Sequence, residues 1–389
     1  MKLYIYIILS LLLSYSCNSD IRKIEQGVII ADGVSTIYLD PKVSKNINLS
    51  EIIKDINLIF LQTSDDSFLG EISKIERDDN CYFILNSFDK FVYVFDSVGN
   101  FKTKIGNKGN GPGELQFPEC FALNKELKEV WLTNNFQSIL KFDYDGNFKE
   151  SQSIDLFFTD LYTSNNYIYF HTSKRANFDN QMNQICRNLW IETSENNTKT
   201  YFPYNPIFYP NGGMYFDTKI PFCRNGDSII YSSVFNDTIY SIKNDTLNAK
   251  YAIDFNNDVS DKISNISGED VLDYLRNNST KACYLQNVLE TSSFLRFNYV
   301  LNMELYDAFY DKKQKKLVEG KLLDNVLGAQ PIFLYAYDNK FVGYVNAFDL
   351  KISEKTKHVL DDFFFNKLKG INLEEHNPIL FEIELKSLE

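Results

Sequence analysis

Histidine, tryptophan, methionine and cysteine are all scarce in this chain of 389 residues. It contains three histidines, two tryptophans, four methionines and six cysteines. A three-histidine zinc site would need His171, His358 and His376 together, and these show no paired spacing. The sequence therefore predicts no metal site, and no motif in it indicates a cofactor.

Basic residues are also in short supply. Lysine and arginine number 40 against 52 aspartates and glutamates, which gives a formal net charge of -12. Nucleic acids bind to basic surfaces because their phosphates are negatively charged. We therefore expect no nucleic-acid partner.

Long apolar runs are missing except at the beginning of the chain. Lys2 is followed by the mostly apolar run Leu3–Leu13 and then by Ser14-Tyr15-Ser16. This order is typical of a secretory signal peptide, and the run is short for a membrane span. The following Cys17 resembles the lipidated cysteine of a bacterial lipobox. The alternative is an ordinary cleaved signal in which Cys17 is incidental. We predict a signal peptide over 1–16 and contact with the membrane through the lipid anchor only.

The remaining cysteines number five, which is odd, and they show no close spacing. They are Cys81, Cys120, Cys186, Cys223 and Cys283. Export permits disulfides, and a bond between Cys186 and Cys223 is compatible with the sequence. We expect most of these cysteines to be free thiols.

A repeated phrase is the clearest structural signal in the chain. Phe95-Asp96-Ser97-Val98-Gly99-Asn100-Phe101-Lys102 returns as Phe142-Asp143-Tyr144-Asp145-Gly146-Asn147-Phe148-Lys149. The two copies lie within the period of roughly 40 to 50 residues that β-propeller blades show. Each copy follows a short aromatic and β-branched run. Gly99 and Gly146 are expected to take positive φ in hairpins that join outer strands of adjacent blades.

These patterns predict an all-β fold, a six-bladed β-propeller of four-stranded antiparallel blades. We place the signal peptide at 1–16, the lipidated cysteine and a tether at 17–34, and the propeller at 35–389. N-terminal strand material is expected to complete the last blade. Ser267 is the predicted N-cap of a short helical insertion between blades four and five, and a further helix is predicted over 355–368. The blades are expected near 72–105, 121–154, 189–199, 228–245, 294–313, and 333–345 with 379–385.

Three motifs that suggest chemistry have simpler interpretations. The glycine-rich segment Gly106–Gly113 lacks the Gly-Lys-Ser/Thr of a phosphate-binding loop, which favours a loop between blades. Asp143-Tyr144-Asp145 resembles the start of a calcium loop, but its twelfth position is Ile154, so we predict a hairpin. No Gly-x-Ser-x-Gly elbow is present, and we name no catalytic residue.

Aromatic residues are concentrated in the segment Tyr201–Phe216. Its prolines are incompatible with an ordinary central strand, so we predict a long loop. Exposed aromatic rings on loops can stack on sugars or peptide side chains, and the alternative is a loop packed into the core. We expect this loop and an insertion over 254–290 to cover one mouth of the ring. The candidate ligand-binding residues are Tyr204, Tyr209 and Tyr215, with Arg175 and Arg224 as cations.

The stretch Ile105-Gly106-Asn107-Lys108-Gly109-Asn110-Gly111-Pro112-Gly113-Glu114, read together with Phe95-Asp96, resembles a known family. It is similar to the six-bladed β-propeller lipoproteins of Gram-negative bacteria, which are relatives of the NHL-repeat propellers. Similar anchors extend from Ile52 to Lys386. The resemblance implies the fold and a lipid-anchored place in the cell envelope, periplasmic or on the outer-membrane surface, and implies little about activity.

We therefore expect an exported, lipid-anchored propeller that acts as a ligand-binding or protein-interaction scaffold. Its partner would be a small molecule, a glycan or a protein. The alternative is a propeller enzyme, a hydrolase or lyase acting on sugar or peptide at the central channel. Fold alone does not decide between the two.

Overall fold

A computed structural model describes residues 23–42, 45–135, 138–164, 166–179, 182–193, 197–206, 216–226, 228–323, 326–350, 366 and 368–388. Six β-sheets stand in a ring as a six-bladed propeller, as predicted. The first strands of the blades contact one another around the axis and line the central channel.

Each blade contains four antiparallel strands, arranged side by side from the axis of the ring to its outer edge. The sixth blade takes its outermost strand, Ile53–Phe60, from the N-terminal part of the chain, which confirms the predicted closure. In order from the axis, the strands are Ile72–Asp78, Cys81–Asn86, Val92–Asp96 and Phe101–Ile105 (blade one); Pro118–Asn124, Glu129–Asn134, Ser138–Asp143 and Phe148–Ser153 (two); Asp160–Ser164, Tyr167–His171, Arg187–Thr193 and Asn197–Pro203 (three); Phe222–Asn225, Ser228–Tyr231, Thr238–Lys243 and Thr246–Asp254 (four); Cys283–Glu290, Phe294–Leu301, Glu304–Asp311 and Lys316–Leu323 (five); Ile332–Tyr337, Lys340–Val345, Ile379–Leu385 and Ile53–Phe60 (six).

The ring has two faces with different connections. On the first, which we call the hairpin face, tight turns such as Asp79-Asn80 join the innermost strand of a blade to its second strand. On the other, the loop face, the innermost strands begin and the longer connections lie. Two of these connections contain small two-stranded sheets, Asn107–Lys108 with Glu114–Leu115 and Asn177–Phe178 with Gln184–Ile185.

The repeated phrase forms a turn that its aspartate holds together. Asp96 accepts hydrogen bonds from the Val98 amide at 3.0 Å, the Asn100 amide at 2.8 Å and the Asn100 side chain at 2.8 Å. Asp143 does the same in the second copy. Burial alone would raise the pKa of Asp96, yet these hydrogen bonds hold it below its ordinary value.

The glycines of both copies have positive φ, +95° at Gly99 and +92° at Gly146, as predicted. Each turn joins the third and fourth strands of a single blade, so the expected link between adjacent blades is wrong. A third copy of the turn lies at Asp179, which accepts two hydrogen bonds from Asn183. Met182 stands there at the place of the glycine, with φ +63°.

The N-terminal part of the chain wraps around the outside of the ring. Lys23–Gln26 pairs in parallel with the outermost strand of blade three, and Ile29–Ile30 and Ser35–Tyr38 pair with that of blade four. Asn46–Asn48 pairs with blade five, and the short helix α1, Leu49–Ile52, leads into blade six. We call residues 23–48 the strap. The described residues of the predicted tether, 23–34, lie in the strap. The boundary between tether and propeller at residue 34 stays a prediction.

The insertion between blades four and five contains two short helices, α2 (Val259–Ile263) and α3 (Val271–Asn277). The predicted helix thus begins at Val271 with Asp270 at the N-cap, because Ser267 opens a preceding turn that the Asp270 amide closes. Both helices lie on the loop face. The helix predicted over 355–368 falls almost entirely outside the described residues.

The cysteines from Cys81 onwards are buried free thiols, so Cys186 and Cys223 are not bonded to each other. Across the described ranges, no helix has the length and apolar character needed to cross a membrane.

Candidate functional site

The central channel follows the axis of the ring between the innermost strands of the blades. At the hairpin face it opens into a cavity of about 550 Å³, and at the loop face into one of about 240 Å³. A narrow segment lined by Lys74, Glu76, Asp160, Tyr162 and Tyr335 lies between them. The innermost strands therefore place charged and phenolic side chains along the axis.

Three cationic side chains meet at the hairpin mouth, and each comes from a different blade. They are Arg77 of blade one, Lys125 of blade two and Arg224 of blade four. Lys125 donates to the Arg77 carbonyl at 2.7 Å and to the Tyr335 hydroxyl at 3.3 Å. Arg77 donates to the Asn80 side chain, and Arg224 donates to the Gly226 carbonyl. In the part of the chain that the structure describes, none of the three forms an ion pair with a carboxylate.

The proximity of these cations is visible in the pKa of Lys125. Burial lowers this pKa most, and the positive charges of Arg224 and Arg77 lower it further. The Glu76 carboxyl opposes the shift but does not cancel it. Asp78 also opposes the shift. The pKa values of Arg77 and Arg224 are raised, because neighbouring groups, Tyr337 and Tyr162 first, outweigh the effect of burial. Of the three cations only Lys125 therefore carries a destabilised positive charge, which a bound anion would stabilise.

Four acidic residues also line the mouth. Glu290 pairs with Lys250 and Lys312, whereas the described residues offer the Asp338 carboxylate no ion pair. Asp78 and Asp79 both pair with Lys128 at 2.8 Å, and Asp78 also accepts from the Tyr144 hydroxyl. Aromatic rings complete the wall: the guanidinium of Arg77 lies 4.4 Å from the centroid of the Tyr337 ring.

Glu76 lies deeper in the channel and is only 5% exposed. Within the described ranges its carboxyl has no hydrogen-bond or ion-pair partner, since the nearby Lys74 pairs with Asp160 at 2.8 Å. Burial raises the pKa of Glu76, and the charges of Lys74 and Lys125 only partly oppose this. The channel thus holds a carboxyl group that takes up a proton more readily than an ordinary glutamate does.

The structure divides the candidate binding residues between the two faces. Arg224 lines the hairpin mouth. Tyr204 lies on the loop face, where its hydroxyl donates to the Arg175 carbonyl at 2.6 Å and its side chain lines a cavity of about 690 Å³. Arg224 and Tyr204 therefore share no pocket. Tyr209, Tyr215 and the predicted lipidation site Cys17 lie outside the described residues.

The sequence reasoning missed Glu76, Arg77 and Lys125. A signal was present in Lys74-Ile75-Glu76, where charged residues alternate with a buried isoleucine in the first strand of a blade. Alternation places both charges on one side of the strand. In the innermost strand of a propeller, that side faces the axis.

The interpretation of Gly106–Gly113 as a loop between blades agrees with the geometry, and His171 is held in place by neighbouring side chains. The amide of Gly111 donates to the Glu114 carboxylate at 2.7 Å, so the glycine-rich loop binds its own side chain and joins blades one and two. His171 is fully buried, with its ring nitrogens 3.0 Å from the Tyr231 hydroxyl and 2.8 Å from Asp217. Over the described residues, no group of three or more histidine, cysteine, aspartate or glutamate side chains could hold a metal ion.

Comparison with known proteins gives a family and a fold. A family described as a domain of unknown function, DUF4934, matches residues 34–384, whereas no curated protein matches the chain. A solved structure of a Bacteroides fragilis protein assigned as exported is 21% identical with a TM-score of 0.73, and the match covers 92% of this chain and 100% of that one. A DUF4221 family member from Bacteroides vulgatus is 8% identical with a TM-score of 0.52, covering 85% and 98% of the two chains. At these identities the two structures show the fold alone. Because the family match spans most of its length, the chain belongs to the DUF4934 family, a family of unknown function.

Proposed function

We propose that this protein is an exported, lipid-anchored propeller of the Gram-negative cell envelope that binds a small anionic ligand at the hairpin mouth of its channel. One observation supports an anionic ligand. Arg77, Lys125 and Arg224 converge there from three blades, and no carboxylate of the described residues pairs with them.

The geometry favours a carboxylate or sulfate group on the ligand. A guanidinium presents parallel N–H donors that match such groups in a bidentate arrangement. Tyr335 and Tyr337 border the same cavity: Tyr335 is buried, and the half-buried Tyr337 ring, which Arg77 already faces, supplies the aromatic surface beside the cations. The volume of about 550 Å³ lies within the range of small-molecule sites. An acidic sugar, which combines a carboxylate with a ring, suits both features.

The test is calorimetric titration with three defined probes: trigalacturonate, sulfate and the neutral trisaccharide maltotriose. We expect trigalacturonate to bind and maltotriose not to bind. Arg224→Gln should weaken binding at least tenfold, about 1.4 kcal/mol at 25 °C. Arg276→Gln is the matched control, because Arg276 lies exposed on α3 and pairs with Asp273.

Each outcome has a definite meaning. Binding of sulfate alone would retain the anionic site and reject the sugar. Binding of maltotriose as tightly as trigalacturonate, equal loss in both arginine variants, or no binding by any probe would reject the site.

Export and the anchor are supported by the Lys2 to Cys17 pattern, and a structural relative assigned as exported agrees with it. Cys17→Ser should move the protein from the membrane fraction to the soluble fraction and abolish labelling with a palmitate analogue. Unchanged fractionation, together with an unlabelled wild type, would contradict lipidation.

A hydrolase acting on the same ligand is the second candidate, and the buried Glu76 favours it. Glycoside hydrolysis uses two carboxyl groups, of which one must carry a proton. Glu76 and Asp160 line the same narrow segment of the channel. Release of reducing ends from polygalacturonate that disappears in Glu76→Gln would favour hydrolysis, and binding without turnover would exclude it for this substrate.

A further inference from the structure

Seven phenylalanines of the described chain are exposed. Phe148, at 37%, follows the hairpin-face turn of blade two, and the other six are strongly exposed, which is unusual for the most apolar aromatic side chain. Their exposed fractions run from 49% at Phe178 to 92% at Phe88. The others are Phe68, Phe117, Phe157 and Phe348.

All six lie on the loop face. Phe68, Phe117 and Phe157 precede the innermost strands of blades one, two and three. Phe88, Phe178 and Phe348 lie in the connections between the second and third strands of blades one, three and six. They follow an arc from blade six through blades one and two to blade three, which we call the phenylalanine arc. It borders the loop-face mouth of the channel, on the side opposite the cationic mouth.

Among the described residues, the insertion covers part of this face, whereas Met303 and Leu305 at a loop-face turn of blade five are 44% and 49% exposed. Over blades four and five, α2 and α3 pack on the loops below them through Val259, Ile263, Val271 and Leu275. Phe235, in the connection of blade four that corresponds to the one carrying Phe88 in blade one, is therefore only 5% exposed. Phe235, beneath the insertion, is thus buried, whereas Phe88, Phe178 and Phe348 in the corresponding connections of blades one, three and six are exposed.

The open area is large enough for a protein interface. At roughly 200 Å² per phenylalanine, the six exposed fractions sum to about 700 Å² of phenylalanine surface, distributed over four blades. The largest apolar patch of a typical monomer measures roughly 300–600 Å². A standard protein interface buries about 800 Å² on each partner.

Every phenylalanine of the arc has an acidic neighbour within two positions. The pairs are Asp66 with Phe68, Asp89 with Phe88, Glu119 with Phe117, Asp155 with Phe157, Asp179 with Phe178, and Asp349 with Phe348. Basic residues lie there as well, since Lys90 is two positions from Phe88, Arg175 is three from Phe178, and the charges of both act on the Glu119 carboxyl. The arc therefore combines apolar rings with more acidic than basic side chains.

We infer that the phenylalanine arc is the docking surface for a protein partner whose contact surface combines apolar side chains with lysine and arginine. Charge complementarity selects this partner over a second copy, because two acidic arcs would repel each other. It also disfavours an anionic lipid surface.

The experiment places the photocrosslinker p-benzoylphenylalanine at position 88 of the full-length protein in its own cell envelope. The matched control carries it at position 98, since Val98 is also exposed but lies in a turn on the hairpin face. After irradiation, mass spectrometry identifies the crosslinked peptide. We expect position 88 to give at least fivefold more adduct than position 98, on one protein, within a segment where apolar residues adjoin lysine or arginine.

A second measurement uses that protein in purified form. Phe157→Ser should weaken its binding at least tenfold and Asp155→Lys at least threefold, whereas Arg276→Gln should leave it unchanged. Crosslinks to a second copy, to lipid or to an acidic segment would overturn the inference. Equal crosslinking from both positions, or unchanged binding of both arc variants, would overturn it as well.

Discussion

The two hairpin glycines offer a matched pair of substitutions, Gly99→Ala and Gly146→Ala. Both glycines have φ near +90° in the same turn, so the backbone strain of an added methyl group is common to both, about 1–2 kcal/mol. Their surroundings differ. A Cβ on Gly99 would lie 2.3 Å from the backbone oxygen of Phe60 in the closing strand of blade six. A Cβ on Gly146 would meet nothing nearer than the Lys104 oxygen at 3.4 Å.

We therefore expect Gly146→Ala to cost about 1–2 kcal/mol and Gly99→Ala at least 2 kcal/mol more, an amount typical of overpacking against a rigid backbone. The additional loss of stability in Gly99→Ala arises where the closing strand of blade six packs on the Gly99 turn of blade one. The Gln62 amide, next to that strand, also donates to the Gly99 carbonyl there. Urea unfolding followed by tryptophan fluorescence measures both variants, with equal slopes as the check on two-state behaviour. Equal midpoints for the two variants, or no loss in either, would refute the reasoning.

Two further predictions concern stability. Glu382 is 5% exposed and accepts hydrogen bonds from Tyr82, Tyr337, Lys340 and Asn57; burial raises its pKa, but these bonds lower it to about 2. A carboxyl whose pKa is lowered in the folded state stabilises the fold fully above its unfolded value of 4.5, and it loses that contribution as pH falls towards 2. Glu382→Gln should therefore cost about 3 kcal/mol of unfolding free energy at pH 7 and progressively less below pH 4.5. A difference in unfolding free energy that does not change with pH would contradict this. Met182→Gly should raise the urea midpoint by the equivalent of about 1 kcal/mol, because Met182 is exposed and has φ +63° at the position that glycine occupies in the other two turns. A lower midpoint would show that the contacts of the Met182 side chain stabilise the fold by more than its backbone strain destabilises it.

What could be predicted from the sequence depends on how local each interaction is. The Asp96 turn is complete within five residues, so the repeat of its aspartate, glycine and asparagine located two blades correctly. The third copy at Asp179 escaped because Met182 replaces the glycine, and the turn persists since the aspartate supplies most of its hydrogen bonds. The strap could not be predicted, because parallel pairing at the edge of a distant blade leaves no local periodicity.

The candidate site was predicted only in part for the same reason. Arg224 was selected as the cation nearest to an aromatic loop, yet its neighbours at the mouth are Arg77 and Lys125. These three positions become adjacent only when the ring closes. The prediction from the aromatic content of 201–216 relied on residues that are close in sequence, whereas the residues around Arg224 are close only in space.

The strap also sets the order in which the molecule can be assembled. A chain that crosses a membrane from its N-terminus delivers residues 23–60 first, but their pairing partners begin at Asn197 and end at Leu385. Until those partners arrive, the strap has no sheet edge to join, and the last blade lacks its outer strand. Contacts between such distant segments form slowly, because a long loop must close before any of them is made. A chain that emerges in this order therefore carries unpaired N-terminal strands until Leu385 has emerged, and a factor that binds strand edges would find them accessible for that whole time.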